Sequence, residues 1–316
     1  MRIFDGAAVD GALGYPGLVD ILQAAFEQGA IAPFQLDGRP EATLLLMPAW
    51  EASAVGATTA GRYLGVKTIA VFPDNAERGR PAVNGTYLLL SAESGETLAV
   101  MDATRLTVWR TAAASALASR YLSRPDASRL LMVGAGALAP QLIRAHASVR
   151  PIREIALWNR SPERARALIA SLAEQGLTVS LASDLEAAVR WADIVSVATM
   201  SADPLIHGAW LKPGTHVDGV GAFRANMRET DDAVVRRARI YVDTRSGACA
   251  EAGDIVKPLN AGVIGKEAIL GDLFDLAKGT VGGRETAEEI TFFKSVGAAI
   301  EDLAAAIAIY LKARSS

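Results

Sequence analysis

The sequence predicts an α/β protein, a doubly wound parallel sheet joined to an α+β part, and three observations carry that expectation. A strongly apolar run, Arg129-Leu130-Leu131-Met132-Val133, enters a glycine turn and then a helical pattern at residues 140–148. From there strand-like and helix-like stretches alternate, with strand runs at 130–133, 155–158, 179–182, 194–198, 216–220 and 240–243, as in a parallel sheet with crossover helices. Ahead of about residue 125 the pattern differs, because short alternating runs separated by turn residues suit a mixed or antiparallel layer.

In that N-terminal part the strand runs fall at residues 43–47, 67–72, 85–90 and 98–101. Pro73-Asp74-Asn75 and Glu93-Ser94-Gly95-Glu96 supply turn chemistry between them. Lys67 shares a pleat face with Ile69 and Val71, and lysine is rarely buried without a partner. Alternation leaves open whether that face is the inner one or the surface of an edge strand. Residues 104–121 are rich in Ala and helical in pattern, with Arg110 in line with Leu106, Ala113 and Leu117. A guanidinium on such a line is either half of a structural ion pair or a bidentate site for a substrate carboxylate.

The glycine turn carries the most specific chemistry. Gly134 allows the tight turn, Gly136 lets the backbone approach a pyrophosphate, and small Ala139 lets the next helix pack on the strand. The helix N-terminus adds free N–H donors for the phosphates. The following strand, Glu154-Ile155-Ala156-Leu157-Trp158, runs into Asn159-Arg160-Ser161, where an acidic residue about 20 positions past the glycines would hold the ribose of NAD. Arg160 suits a 2′-phosphate instead, with Asn159 and Ser161 adding hydrogen bonds, so NADP(H) is expected ahead of NAD(H). The alternative is that Arg160 simply ends a strand at the surface.

Composition excludes other classes. The chain has 316 residues, 51% hydrophobic and 21% charged, which is room for two domains and a sizeable core. A net charge of −3 without a basic block gives no footprint for nucleic acid. Cys249, the single cysteine, forms no internal disulfide and no thiolate cluster, and His146, His207 and His216 are scattered, so no metal is expected and a reducing cytoplasm fits. The first residues lack a basic region followed by an apolar core and no apolar run approaches a membrane span, so the chain is expected to start at Met1 and to have no membrane partner. The last helix places Val296, Ile300, Leu303, Ile307 and Tyr310 on one stripe, with Glu301, Asp302 and Lys312 off it. With the parallel sheet expected to be complete by about residue 290, this helix should return to the N-terminal part. The expected domains are residues 1–124 with 295–316, and 125–294.

Gly65-Val66-Lys67-Thr68, Leu106-Thr107-Val108-Trp109-Arg110-Thr111-Ala112-Ala113, Gly134-Ala135-Gly136-Ala137 and Phe293-Lys294-Ser295-Val296-Gly297 together resemble the ornithine cyclodeaminase/mu-crystallin family over almost the whole chain. The resemblance implies a Rossmann domain, a dimerisation domain giving a homodimer, and a substrate cleft between them. It makes Lys67 and Arg110 the substrate-binding and catalytic pair, and places Thr111 near the cofactor pyrophosphate. Gly134, Gly136, Ala137 and Ala139 match the phosphate turn, while Thr199, Ser295 and Val296 match segments near the nicotinamide. His216-Val217-Asp218-Gly219-Val220-Gly221-Ala222-Phe223-Arg224 resembles the turn at the cleft, with Val220 on the cofactor side and Phe223 on the substrate side.

Departures from the family pattern bear on activity. Phe223 stands where cyclodeaminases carry a catalytic aspartate, whereas Gly221-Ala222-Phe223-Arg224 resembles members that reduce cyclic imino acids, except that Ala225 replaces a proline. Gln35 occupies the place of a second substrate arginine, with Arg39 displaced by four, and Leu138 replaces a common glutamine. Together with the Arg160 reading, the resemblance therefore implies an NADP(H)-dependent reductase of a cyclic ketimine carboxylate, pyrroline-2-carboxylate or piperideine-2-carboxylate, giving proline or pipecolate. Its alternatives are an ornithine cyclodeaminase, for which Asp218 is the nearby base, an alanine dehydrogenase-like enzyme, and a binding protein without turnover.

Overall fold

The computed structural model describes residues 2–31, 43–51, 63–72, 75 and 83–315. The chain divides into two compact units, Met1–Thr111 with Ala298–Ser316, and Ala112–Gly297. The first unit opens with β1 (Arg2–Phe4), α1 (Gly6–Ala12), α2 (Tyr15–Gln28) and β2 (Ala30–Ile31). Then come β3 (Thr43–Glu51), β4 (Tyr63–Val71), β5 (Val83–Ser91) and β6 (Thr97–Asp102). The sheet runs β1-β6-β5-β4-β3-β2, antiparallel except where β1 lies parallel to β6.

The strands extend past the predicted runs, except that β4 stops at Val71, one residue short, and β1, β2, α1 and α2 were not anticipated. Two of these are strands of only two or three residues, too short for alternation to register. Helix α2 did carry a readable signal, since Leu18, Val19, Leu22 and Phe26 recur at helical spacing and are all buried. Asp5 caps α1 by accepting a hydrogen bond from Ala8 N at 2.9 Å. On β4 the residues Tyr63, Gly65, Lys67 and Ile69 are buried while Leu64, Val66, Thr68 and Ala70 are half-buried. This period of two settles the question left by the sequence: Lys67 faces inward, 1% exposed.

Helix α3 (Ala103–Leu122) runs from the end of β6 across the unit boundary. The second unit then alternates strand and helix: β7 (Arg129–Val133), α4 (Ala139–Val149), β8 (Glu154–Trp158), α5 (Pro162–Glu174), β9 (Ser180–Leu181), α6 (Leu185–Trp191), β10 (Ile194–Val197) and β11 (His216–Gly219). It continues with α7 (Asp232–Arg237), β12 (Arg239–Val242), α8 (Arg245–Glu251), α9 (Gly253–Asn260), β13 (Ile269–Asp272), α10 (Leu273–Lys278) and β14 (Thr291–Lys294). Every strand pair is parallel, in the order β13-β12-β14-β11-β10-β7-β8-β9. The chain order reverses between β7 and β10, the switch point outside whose carboxyl ends ligands bind in such sheets. Leu131, Val133, Val195, Val197, Val217, Ile240, Val242 and Phe292 form the centre of its core.

The expectation that the sheet is complete by about residue 290 is corrected by β14. All four of its residues are buried, and it sits between β11 and β12. A strand covered on both faces has no apolar–polar alternation to read, and Thr and Lys at its ends hide it further.

Helix α11 (Ala299–Ser315) packs on α2 and on β3 to β5 of the first unit. It begins after Val296, so that residue does not belong to the apolar stripe. Glu301 and Asp302, placed off the stripe by the periodicity, are fully buried. Their partners explain this.

Candidate active site and dinucleotide turn

In the second unit, β7 ends at Gly134, whose φ of +110° is closed to residues with a Cβ. An added Cβ would lie 2.5 Å from Ala198 O. Gly134 N donates to Trp158 O at 2.8 Å, tying the turn to the end of β8. Gly136 and Ala137 are exposed, and no atom lies within 4 Å of the space above Gly136. Ala139, buried, opens α4, and no side chain caps this helix. Uncapped N–H groups beside an open glycine turn fit a pyrophosphate.

At the end of β8, Asn159 Oδ1 accepts from Ala135 N at 3.1 Å and its Nδ2 donates to Ser161 O at 2.9 Å. Ser161 caps α5 and donates to Glu163 Oε2 at 3.0 Å. These two polar groups thus brace the phosphate turn and the next helix, while Arg160 between them is exposed.

The ends of β10, β11 and β14 meet nearby. Thr199 follows β10, and its Cγ2 lies 3.2 Å from where a Cβ on Gly134 would be. Val220 N donates to Val197 O at 2.8 Å, and Ser295 N to Gly219 O at 3.1 Å. Val296 N and Gly297 N both donate to Asp243 Oδ2, at 2.7 and 2.6 Å. After β11 the chain turns at Ala222, which holds φ +49° while buried, and presents Phe223 at 40% exposure with the Arg224 guanidinium 5.7 Å from its ring centre. Asp218 is fully buried. Although burial raises its pKa, the hydrogen bond and charge of His146 and the Ser196 hydroxyl hold the carboxyl below its ordinary value. His146 Nε2 is 3.0 Å away and Ser196 Oγ donates at 2.7 Å. A buried carboxyl so stabilised as its anion is a poor base.

In the first unit the sheet and α11 assemble a second cluster. Lys67 Nζ lies 2.7 Å from Asp302 Oδ2 and 3.5 Å from Thr107 Oγ1. Arg110, 5% exposed, places Nη1 2.7 Å from Glu301 Oε2 and Nε 3.1 Å from Asp302 Oδ1. Two cations therefore face two carboxylates, which is how four buried charges coexist. Burial pushes Lys67 down to about 8; the Arg110 charge adds to this, and Asp302 and Glu301 oppose it. Tyr87 is paired across from Lys67 in the sheet, and Gly65 leaves room for its hydroxyl, which would lie 2.3 Å from an added Cβ. Thr111, just after Arg110, is largely buried.

The structure thus brings Lys67 and Arg110 together, and it brings the Gly134 turn, Asn159, Thr199 and Val220 to one edge of the parallel sheet. Gln35 lies outside the described residues, as does Arg39. Sequence reasoning missed Glu301 and Asp302. A signal for them existed, because two adjacent acids early in an otherwise apolar helix invite a search for buried cations.

The profile of the "Ornithine cyclodeaminase/mu-crystallin family" matches residues 23–316. The chain is 43% identical over 269 residues to a Delta(1)-pyrroline-2-carboxylate reductase of Paracoccus denitrificans, covering 84% of this chain and 82% of the relative. It is 35% identical over 267 residues to the ketimine reductase mu-crystallin of Rattus norvegicus, covering 84% and 79%. Among solved structures, the Thermococcus litoralis Delta(1)-pyrroline-2-carboxylate reductase in complex with NADH and L-proline superposes with a TM-score of 0.92 at 30% identity, covering 100% of this chain and 98% of that one. The glycine turn, the buried lysine–arginine pair and a match that runs through both units lead to one assignment: the chain belongs to the ornithine cyclodeaminase/mu-crystallin family.

Proposed function

We propose that the protein is an NADP(H)-dependent reductase of cyclic ketimine carboxylates, converting pyrroline-2-carboxylate or piperideine-2-carboxylate to proline or pipecolate. The observation that carries this reading is the buried Lys67–Arg110 pair, in a chain that is 43% identical to a relative named for pyrroline-2-carboxylate reduction. Arg110, paired with Glu301 and Asp302, brings a planar, permanently charged fork of donors of the kind that engages a substrate carboxylate bidentately. Lys67, held by Asp302, makes the second polar contact and draws electron density from the conjugated C=N–H⁺ system. A nicotinamide dinucleotide held at the Gly134 turn would supply the hydride that the imine carbon takes. The iminium nitrogen keeps its proton and takes the former π electrons, so the product is the neutral secondary amine and no further acid is needed. Orientation by the two cations then provides much of the acceleration. Phe223, unable to take a proton, and Asp218, buried on His146 and Ser196, favour reduction over cyclodeamination of ornithine.

The test is NADPH consumption with each cyclic imine, with NADH in parallel. Substrate-dependent oxidation supports the proposal. No oxidation, together with ammonia release from ornithine, would replace it with the cyclodeaminase.

Arg160→Ala is expected to raise the KM for NADPH about tenfold and leave that for NADH unchanged, since only NADPH offers the guanidinium a 2′-phosphate. Equal changes for both cofactors would leave Arg160 a surface residue.

A pH profile tests Lys67. With NADPH saturating, kcat/KM for the imine is expected to fall as pH rises through about 8, where Lys67 loses its charge. Lys67→Arg retains its charge and should remove that part of the decline, leaving only the titration of the imine itself. An unchanged profile would remove the charge of Lys67 from the mechanism. The stability sign is opposite: because folding lowers this pKa from its ordinary 10.5, the cost of burying the charge is present below about pH 8 and is relieved as pH rises from there to 10.5.

A further inference from the structure

Three strand ends of the dinucleotide-binding unit converge on one buried acid, Glu229, in the segment between β11 and α7. Glu229 Oε1 accepts hydrogen bonds from both Thr199 N and Thr199 Oγ1, each at 2.6 Å. Its own N–H donates to Asp254 Oδ1 at 2.8 Å, as do Thr230 N at 2.8 Å and Thr230 Oγ1 at 2.9 Å. Lys294, the last residue of β14, lies 3.6 Å from the other oxygen of Asp254 and donates to Gly219 O at 3.1 Å and to Gly221 O. A Cβ on Gly221 would stand 2.1 Å from Thr199 O and 2.2 Å from Glu229 Oε1, so the turn after β11 rests directly on this carboxyl. Thr199 in turn abuts Gly134 of the phosphate turn. Glu229 is fully buried, and among the described residues its Oε2 has no hydrogen-bond partner.

We propose that Glu229 is a positioning residue for dinucleotide binding: its carboxyl fixes the Thr199 turn against Gly134, so that the ends of β7, β10 and β11 present one rigid surface to the cofactor. The inference rests on the dinucleotide reading given above. Without the carboxyl, a backbone N–H and a hydroxyl at the centre of this contact lose their acceptor, and the turn is free to move.

The charge state of Glu229 matters to the same ligand. Burial pushes the carboxyl up to about 8; Lys294 opposes this, Asp254 adds to it, and the Thr199 donors oppose it. The charged groups facing it are Lys294 from β14 and Asp254 from α9; Thr199 from the end of β10 does not titrate. At neutral pH Glu229 therefore adds no negative charge behind the phosphate turn. Ionised at higher pH, it repels a diphosphate across a poorly solvated gap. Its contribution to stability is fully present below its ordinary value of 4.5 and is lost as pH rises to about 8.

The experiment is titration of the full-length chain with NADPH, followed by protein fluorescence, from pH 7 to 9.5, for wild type, Glu229→Gln and Glu229→Ala. Wild-type affinity is expected to weaken about fivefold over that range. Glu229→Gln keeps an acceptor for Thr199 and carries no charge, so it should match wild type at pH 7 and show a flat profile. Glu229→Ala should bind at least about tenfold more weakly at pH 7. A folded Glu229→Ala that binds like wild type overturns the inference. If that variant does not fold, the Glu229→Gln profile decides alone, and a pH dependence equal to that of wild type overturns it. A wild type that binds neither NADPH nor NADH would overturn the dinucleotide reading itself, a result distinct from binding that ignores Glu229.

Discussion

Arg110→Ala is expected to lower kcat/KM for a cyclic imine carboxylate by about a hundred- to a thousandfold, the cost of removing a desolvated guanidinium from a bound carboxylate. The same change leaves Glu301 and Asp302 buried without the guanidinium that pairs with both of them. Breaking such a group by deleting one partner costs about 3–5 kcal/mol, so the variant will also be less stable. A thermal midpoint for each variant separates the two effects. Arg110→Lys retains the charge and therefore most of the stability, but it loses the flat fork of donors that engages two carboxylates and, in the proposed reaction, the substrate as well. It should fold and still lose about tenfold or more in kcat/KM, chiefly through KM. If folded Arg110→Lys turned over imines at the wild-type rate and KM, the arginine would be a structural ion-pair partner and nothing else.

Gly134→Ala carries the second large effect. At φ +110° even a methyl group is strained, and this one would stand 2.5 Å from a backbone oxygen that is itself fixed at the end of β10. Backbone strain of this kind is worth about 1–3 kcal/mol, and the displacement it forces falls on the turn proposed to face the phosphates. The expected result is a lowered thermal midpoint and loss of dinucleotide affinity by at least about a hundredfold. Gly136→Ala is the contrast. Its Cβ would meet no atom within 4 Å, so the thermal midpoint should stay within a degree or two while dinucleotide affinity falls. Undiminished binding by Gly136→Ala would show that the backbone there does not approach the ligand.

The residues that could be read in advance share a physical property. Gly134 and Gly136, the start of α4 and the run of β8 into Asn159 are local features, in which backbone angles, helix capping and apolar runs are set by neighbours in sequence. Arg110 was legible in part, because a charge on an apolar helical line is a local anomaly even when its partner is unknown. Lys67 was only half legible: alternation gave the face it shares with Ile69, but which face of β4 is covered depended on α11, contributed by the far end of the chain. The strand β14 was hidden because burial on both sides erases the alternation by which strands are read.

The acids were the hardest to place. Glu301 and Asp302 lie 191 positions or more from the cations they bind, and a helical wheel assigns charged residues to water unless a partner is known. Glu229 had no local signal of any kind, since its function arises from Thr199, Gly221 and Asp254, on separate segments that meet only when β10, β11 and α9 pack. The sequence by itself determined the α/β class, the glycine turn of a dinucleotide site and the presence of an arginine on an apolar helical line, because each follows from short-range geometry and periodicity. Only the tertiary structure decided the insertion of β14, the inward face of Lys67 and the burial of three carboxylates. Whether a charge can leave water depends on the opposite charges and donors waiting for it, and those come from distant parts of the chain.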